Sequence, residues 1–151
     1  GQQGYGYNVS NLTGEIKRIM GIDRKHTIII VGAGNIGHAL TNFPGFAETG
    51  FEVKALFDVN EDLIGTEIKG HPVLDVKDMD EYIRENQIDI GVIAARRSAA
   101  QEIADRMCAA GIRGIWNFVP LDITPSVPIE NVHLSESLST LSYKIEHGLL
   151  D

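Results

Sequence analysis

Thr27-Ile28-Ile29-Ile30-Val31-Gly32-Ala33-Gly34-Asn35-Ile36-Gly37 is the stretch whose reading decides the fold. Its first five residues are all β-branched, the composition of a strand buried on both faces. The next six spell Gly-x-Gly-x-x-Gly, and Ile36, Leu40 and Phe43 then recur at steps of four and three, the spacing of one helix face. Strand, glycine turn and helix in direct succession predict a phosphate-binding turn. Gly32 permits the tight turn, Gly34 lets backbone approach a pyrophosphate, and Gly37 lets the helix close on the strand. The backbone of Gly32, Ala33, Gly34, Asn35, Ile36 and Gly37 then presents N–H groups and the positive end of a helix dipole to the phosphates.

Working outward, Phe51 to Asp58 reads as a second strand, with Asp58 standing 21 residues after Gly37. A carboxylate at the end of that strand is placed to accept from a ribose 2′-hydroxyl. Asp58-Val59-Asn60 carries no neighbouring Arg or Lys to neutralise a 2′-phosphate, so NADH/NAD is favoured over NADPH/NADP.

The alternation continues. Pro44-Gly45 ends or kinks the first helix. Glu61 to Gly65 is a turn, and His71 to Leu74 a short third strand. Met79, Tyr82 and Ile83 mark a helix ending near Asn86, and Ile88 to Ala95 is an apolar fourth strand. Ala100, Ile103, Ala104 and Met107 mark a helix ending at Gly111, and Ile112 to Phe118 is a fifth strand. Parallel neighbours need crossovers, so the predicted fold is α/β: a Rossmann-type parallel sheet with helices on both faces. Beyond it come Pro120, Pro125 and Pro128, a last strand over Asn131–Leu134, and a terminal helix with Leu134, Leu138, Leu141 and Ile145 along one seam. That seam packs either on the chain's own sheet or on a partner subunit. Upstream, Gly1 to Tyr7 has linker composition. Leu12, Ile16, Ile19 and Met20 follow at helical spacing, capped by Ser10 or Asn11 and stopped at Gly21. The expected division is a connector and short helix over 1–26, the dinucleotide domain over 27–130, and a terminal strand and helix over 131–151.

Composition bounds the function. The 151 residues are 43% apolar and carry a net charge of −8, which disfavours holding a polyanion or an acidic membrane surface by charge. The apolar run Ile28–Val31 is far too short to span a bilayer, and no signal peptide opens the chain, so a cytoplasmic protein is expected. Cys108 alone excludes an internal disulfide, and His26, His38, His71, His133 and His147 show no metal-ligand spacing, so no metal is expected. Arg96-Arg97 follow the fourth strand at the carboxyl edge, either as a solvated pair or as contacts to a ligand. No Lys or His argues for the acid/base role of a dehydrogenase, and no substrate domain follows residue 120. An NAD-dependent oxidoreductase is therefore the weaker reading, and a domain binding CoA or another nucleotide is the alternative.

Together these residues resemble the Rex redox-sensing transcriptional repressors. The resemblance runs through Gly4-Tyr5-Gly6-Tyr7-Asn8-Val9-Ser10-Asn11-Leu12, Asp23-Arg24-Lys25, Val31 to Gly37, Phe43-Pro44-Gly45-Phe46 and Phe57-Asp58-Val59-Asn60. It continues through Ala99-Ala100-Gln101, Ala110 to Pro120 and Glu130-Asn131-Val132. It implies a cytosolic homodimer that senses the NADH/NAD ratio, with no catalytic residues. Gly32 to Gly37, Asp58, Val59, Ala94, Ala95, Arg96, Asn117, Phe118 and Pro120 would bind the cofactor. Phe43, His133, Leu134, Leu138, Leu141 and Ile145 would serve switching and dimerisation through an exchanged C-terminal helix. Operator DNA would be held by an N-terminal winged-helix domain absent from this chain, and NADH would rotate the subunits and release it. The chain departs from the family at several positions. Phe43 stands where a Tyr is usual, His133 where an Asp is usual, and Leu134 where an aromatic residue is common. Ala95-Arg96 replaces a Val-Pro pair, and Gln3 a basic residue.

Overall fold

Residues 25–151 are described by the computed structural model; the linker and the helix read over Leu12–Met20 lie outside them. β1 (His26–Val31) runs up the middle of the sheet, and the alternation of its isoleucines divides the molecule. Ile28 and Ile30 point into one core, Ile29 and Val31 into the other, and all four side chains are buried. A strand can be apolar at every position only if both its faces are covered. β2 (Phe51–Asp58), β4 (His71–Asp75), β5 (Ile90–Ile93), β6 (Gly114–Asn117) and β7 (Ile129–Asn131) join it in parallel, in the order β4-β2-β1-β5-β6-β7. The two-residue β3 (Glu67–Ile68) pairs antiparallel with β4 and completes the seven-stranded sheet.

On the Ile29 face, α3 (Met79–Asn86) and α4 (Arg97–Ala110) deliver Met79, Ile83, Ala100, Ile103, Ala104 and Met107 into the core. α4 stops at Gly111, whose φ of 103° is a left-handed cap that glycine adopts without strain. Among the described residues, the Ile28 face carries only the seven-residue α1 (Asn35–Thr41) and the four-residue α2 (Gly45–Glu48). Leu40, Phe46, Trp116 and Phe118 are consequently only partly covered there.

At the strands' N-terminal edge, Asp89 ties β1, β5 and β6 together. Its carboxylate accepts from the Thr27 N–H at 3.1 Å, lies 3.4 Å from His26 Nδ1 and accepts from the Arg113 guanidinium at 3.3 Å. Partial burial pushes this carboxyl up. The Thr27 N–H, Arg113 and His26 outweigh it and hold the group below the ordinary carboxylate range.

One expectation needs correction. The last strand is not Asn131–Leu134 but Ile129–Asn131. The ladder ends where the Val132 N–H donates to the Asn117 carbonyl, and Leu134 opens α5 (Leu134–Glu146) rather than closing a strand. Of the two packings open to the terminal seam, the one on its own sheet is not seen. Every residue of α5 except Lys144 is exposed, with Leu138 and Ile145 both at 69%. The antiparallel β3 is an addition. Lys69 (φ 52°) and Gly70 (φ 82°) form its two-residue reversal into β4. No helix among the described residues is long and apolar enough to cross a membrane.

Candidate functional site: a groove over the glycine turn

The order β4-β2-β1-β5 puts earlier strands on one side of β1 and later ones on the other. Above the carboxyl ends of β1 and β5 the chain therefore leaves a crevice, the place where ligands of open α/β sheets bind. The glycine turn lies at that switch point. Gly32 has φ +115°, and a Cβ there would run into the Ala94 carbonyl oxygen at the end of β5. A Cβ on Gly37 would meet the Gly32 carbonyl oxygen, so this glycine lets α1 close on the turn. Gly34 differs: its φ of −83° is open to any residue, and a Cβ there would touch no protein atom within 4 Å. Packing does not require glycine at position 34. Its bare backbone faces the groove instead, and a Cβ would project into space that a phosphate backbone needs.

A groove of about 980 Å³ runs over this turn. Gly32, Gly34, Asp58, Val59, Ala94, Ala95 and Arg96 line it together, although they come from three separate strand ends. Asp58 is fixed before any ligand arrives. Its Oδ2 accepts from the Ala33 N–H at 2.7 Å and its Oδ1 from the Asn60 N–H at 2.8 Å. Ala33 itself is buried, so its contribution is this backbone N–H. The His38 N–H already bonds to the Gly34 carbonyl. Among the described residues, the Gly34, Asn35 and Ile36 N–H groups have no acceptor and are free for an anion.

A second cavity of about 550 Å³ adjoins along the same edge and is lined by Ile36, Arg97, Phe118, Pro120, His133 and Leu134. The expected site residues thus fall on two sides of α1's first turn, Gly34 in one cavity and Ile36 in the other. That is the arrangement a two-lobed ligand bridged by phosphates would need. Arg96 and Arg97 are exposed at the start of α4, one in each cavity, and neither joins an ion pair among the described residues. Arg106, by contrast, is held by Asp80 at 2.9 Å and by the Val76 carbonyl at 2.8 Å.

Asn117 is not brought into either cavity. It is 1% exposed; its amide donates to the Val119 carbonyl and Asn131 Oδ1, and its oxygen accepts from the Val119 N–H. It organises the turn that presents Phe118 and Pro120. Phe43 is 55% exposed with its ring edge-on to Phe46, and His133 lies 3.4 Å from Glu136 on the first turn of α5. Leu138, Leu141 and Ile145 sit away from the groove on the exposed seam.

Sequence reasoning missed the apolar wall beneath Asp58, formed by Leu63, Val76 and Ile103. Leu63 lies in what reads as a bare turn, and Ile103 reads only as helix core. No spacing in the chain marks them as one surface suited to a flat ring.

The family model described as CoA binding domain matches residues 23–121. The redox-sensing transcriptional repressor Rex of Clostridioides difficile (strain 630) is 49% identical over 98% of this chain and 71% of its own length. The crystal structure of RSP, a Rex-family repressor, in complex with β-NADH superposes with a TM-score of 0.86 at 43% identity, covering 97% of this chain and 72% of RSP. RSP in complex with β-NAD+ and operator DNA gives 0.88 at 45% identity, covering 98% and 69%.

Proposed function

Because the chain belongs to the Rex family of redox-sensing transcriptional repressors, we propose that it is the NAD(H)-sensing and dimerising part of such a repressor. The observation that carries this is Asp58 held at the end of β2, 2.7 Å from the Ala33 N–H of the glycine turn. In this arrangement the carboxylate keeps lone pairs for a ribose diol, and the α1 N–H groups take the pyrophosphate. The adenine would lie against Leu63, Val76 and Ile103, and the nicotinamide half would reach the Phe118–Pro120 cavity. Ala94, Ala95 and Arg96 would flank the pyrophosphate, with Arg96 supplying a cation where the family resemblance implies a proline.

The nicotinamide's redox state is the signal in this reading, and the protein transforms no substrate. RSP is described with NADH, and separately with NAD+ on operator DNA. By that relationship NADH would release DNA here too, through a rotation of subunits joined by exchanged α5 helices. Phe43 has no hydroxyl and His133 is not an anion at neutral pH, so the Tyr–Asp hydrogen bond that the resemblance implies for the switch cannot form between them. The proposed division is a connector over 1–26, the sensing domain over 27–130 and the exchange element over 131–151.

Calorimetric titration with NADH, NAD, NADPH and CoA tests the reading. NADH is expected to bind more tightly than NADPH, with CoA weakest. Equal or tighter NADPH binding would sink the role of Asp58, and binding of CoA alone would transfer the groove to the alternative ligand class.

A further inference from the structure

We propose that an apolar groove on the Ile28 face is the docking site of the chain's own segment Leu12–Met20. The groove is separate from the nucleotide cavities, and the proposal does not depend on what they bind. It has a volume of about 440 Å³ and crosses the N-terminal ends of β2, β1, β5, β6 and β7. Phe51, Ile28 and Ile90 form its floor, Phe46 and Trp116 form one aromatic wall with ring centroids 6.1 Å apart, and Glu130 lines the β7 end. On the opposite face of the sheet, the strands lie beneath α3 and α4. Here, among the described residues, the only helices are the short α1 and α2, and an open apolar surface of this kind marks an interaction site.

Three observations select the occupant. The first is where the chain enters β1: the ring of His26, its first residue, stacks on Phe51 with centroids 6.0 Å apart, at the groove's lip. The second is reach. The six steps from Met20 to His26 extend to about 20 Å. A nine-residue helix is about 14 Å long, and the three strand spacings from β1 to β7 also come to about 14 Å. The third is chemistry. Leu12, Ile16, Ile19 and Met20 recur at helical spacing and form one narrow apolar stripe, suited to the Phe51, Ile28 and Ile90 floor beside the Phe46–Trp116 wall. A segment tethered this close acts at millimolar effective concentration, which favours it over a second copy or a separate partner.

Trp116 is the chain's single tryptophan, so its fluorescence reads this groove directly. In the full chain, Ile16→Asp is expected to shift Trp116 emission to the red and speed its quenching by acrylamide. Arg18→Asp, across the helix from the stripe, is expected to leave both unchanged. Should Ile16→Asp fail to fold, paired cysteines decide. In a Cys108→Ser background, Leu12→Cys or Ile16→Cys combined with Ile90→Cys or Glu130→Cys is expected to give a disulfide within one chain, seen by peptide mass spectrometry. If none of the four pairs cross-links within a chain, the proposal is overturned. Disulfides formed only between chains also overturn it and assign the groove to a second copy.

Discussion

The carboxylate of Asp58 and the backbone N–H of Ala33 meet at 2.7 Å although they are 25 residues apart in the chain. This bond locks the end of β2 to the glycine turn, so ribose recognition and phosphate recognition share one rigid corner. Asp58→Asn is expected to weaken NADH and reduce the preference over NADPH. Hydrogen bonds to a charged group contribute roughly 1.5–3 kcal/mol, which corresponds to roughly 10- to 150-fold in affinity. Calorimetry with both nucleotides checks this, and an unchanged preference would remove Asp58 from the ribose site.

The three glycines of the turn are expected to behave differently on substitution. Gly32→Ala places a side chain at φ +115° and against the Ala94 carbonyl oxygen. The backbone conformation alone costs about 1–3 kcal/mol, and for a domain of this size each kcal/mol lowers Tm by roughly 2–4 °C. Gly34→Ala meets no protein atom within 4 Å and is expected to keep the native Tm while losing nucleotide binding. Thermal scans beside NADH titrations separate the two. A large fall in Tm for Gly34→Ala would show that this glycine serves packing.

Acid should weaken the Asp89 clamp in a defined window. The folded-state carboxyl lies below its ordinary value of 3.8, so it stays charged in the fold where an unfolded chain would take up a proton. Its contribution is therefore complete above that value and is lost as pH falls through the lower folded one. Urea unfolding of the native chain and Asp89→Asn, between about pH 2 and 7, is expected to show a stability gap that closes only at the acid end. A gap that widens on acidification would contradict the direction.

Light scattering tests the role of α5. The chain is expected to be a dimer, and removal of the residues after Asn131 is expected to give a monomer. Leu138→Glu with Leu141→Glu should do the same without unfolding the sheet, because both leucines are exposed in the single chain. A dimer that survives either change would refute exchange through this helix.

The central half of the fold was legible because β-branched residues and glycines act locally. Thr27 to Gly37 names a strand, a turn and a helix start without help from the rest of the chain. Asp58 was legible for the same reason, being fixed by its distance from the turn. The edges were harder. Lys69-Gly70 is a hairpin signal, but strands of two residues have no periodicity to detect. His133-Leu134 looks like a continuing strand because nothing in its composition reveals that the ladder has already closed at Val132. Asn117 read as a ligand contact because an Asn at a strand's carboxyl end is compatible with either role. Only the structure reveals that Val119 and Asn131 already use its amide. The Leu63–Val76–Ile103 wall joins three separate elements and had no signal in the sequence.

The exposed α5 also bears on how this chain holds its shape. Thirteen residues is about the length at which a lone helix in water is as often melted as formed. A helix with no buried residue draws nothing from its own sheet, so its order must come from what it touches. Helical content in this segment should then rise with protein concentration while the sheet's does not, and dilution alone should fray the terminus. The last turns of the chain would be a gauge of how crowded the protein is with copies of itself.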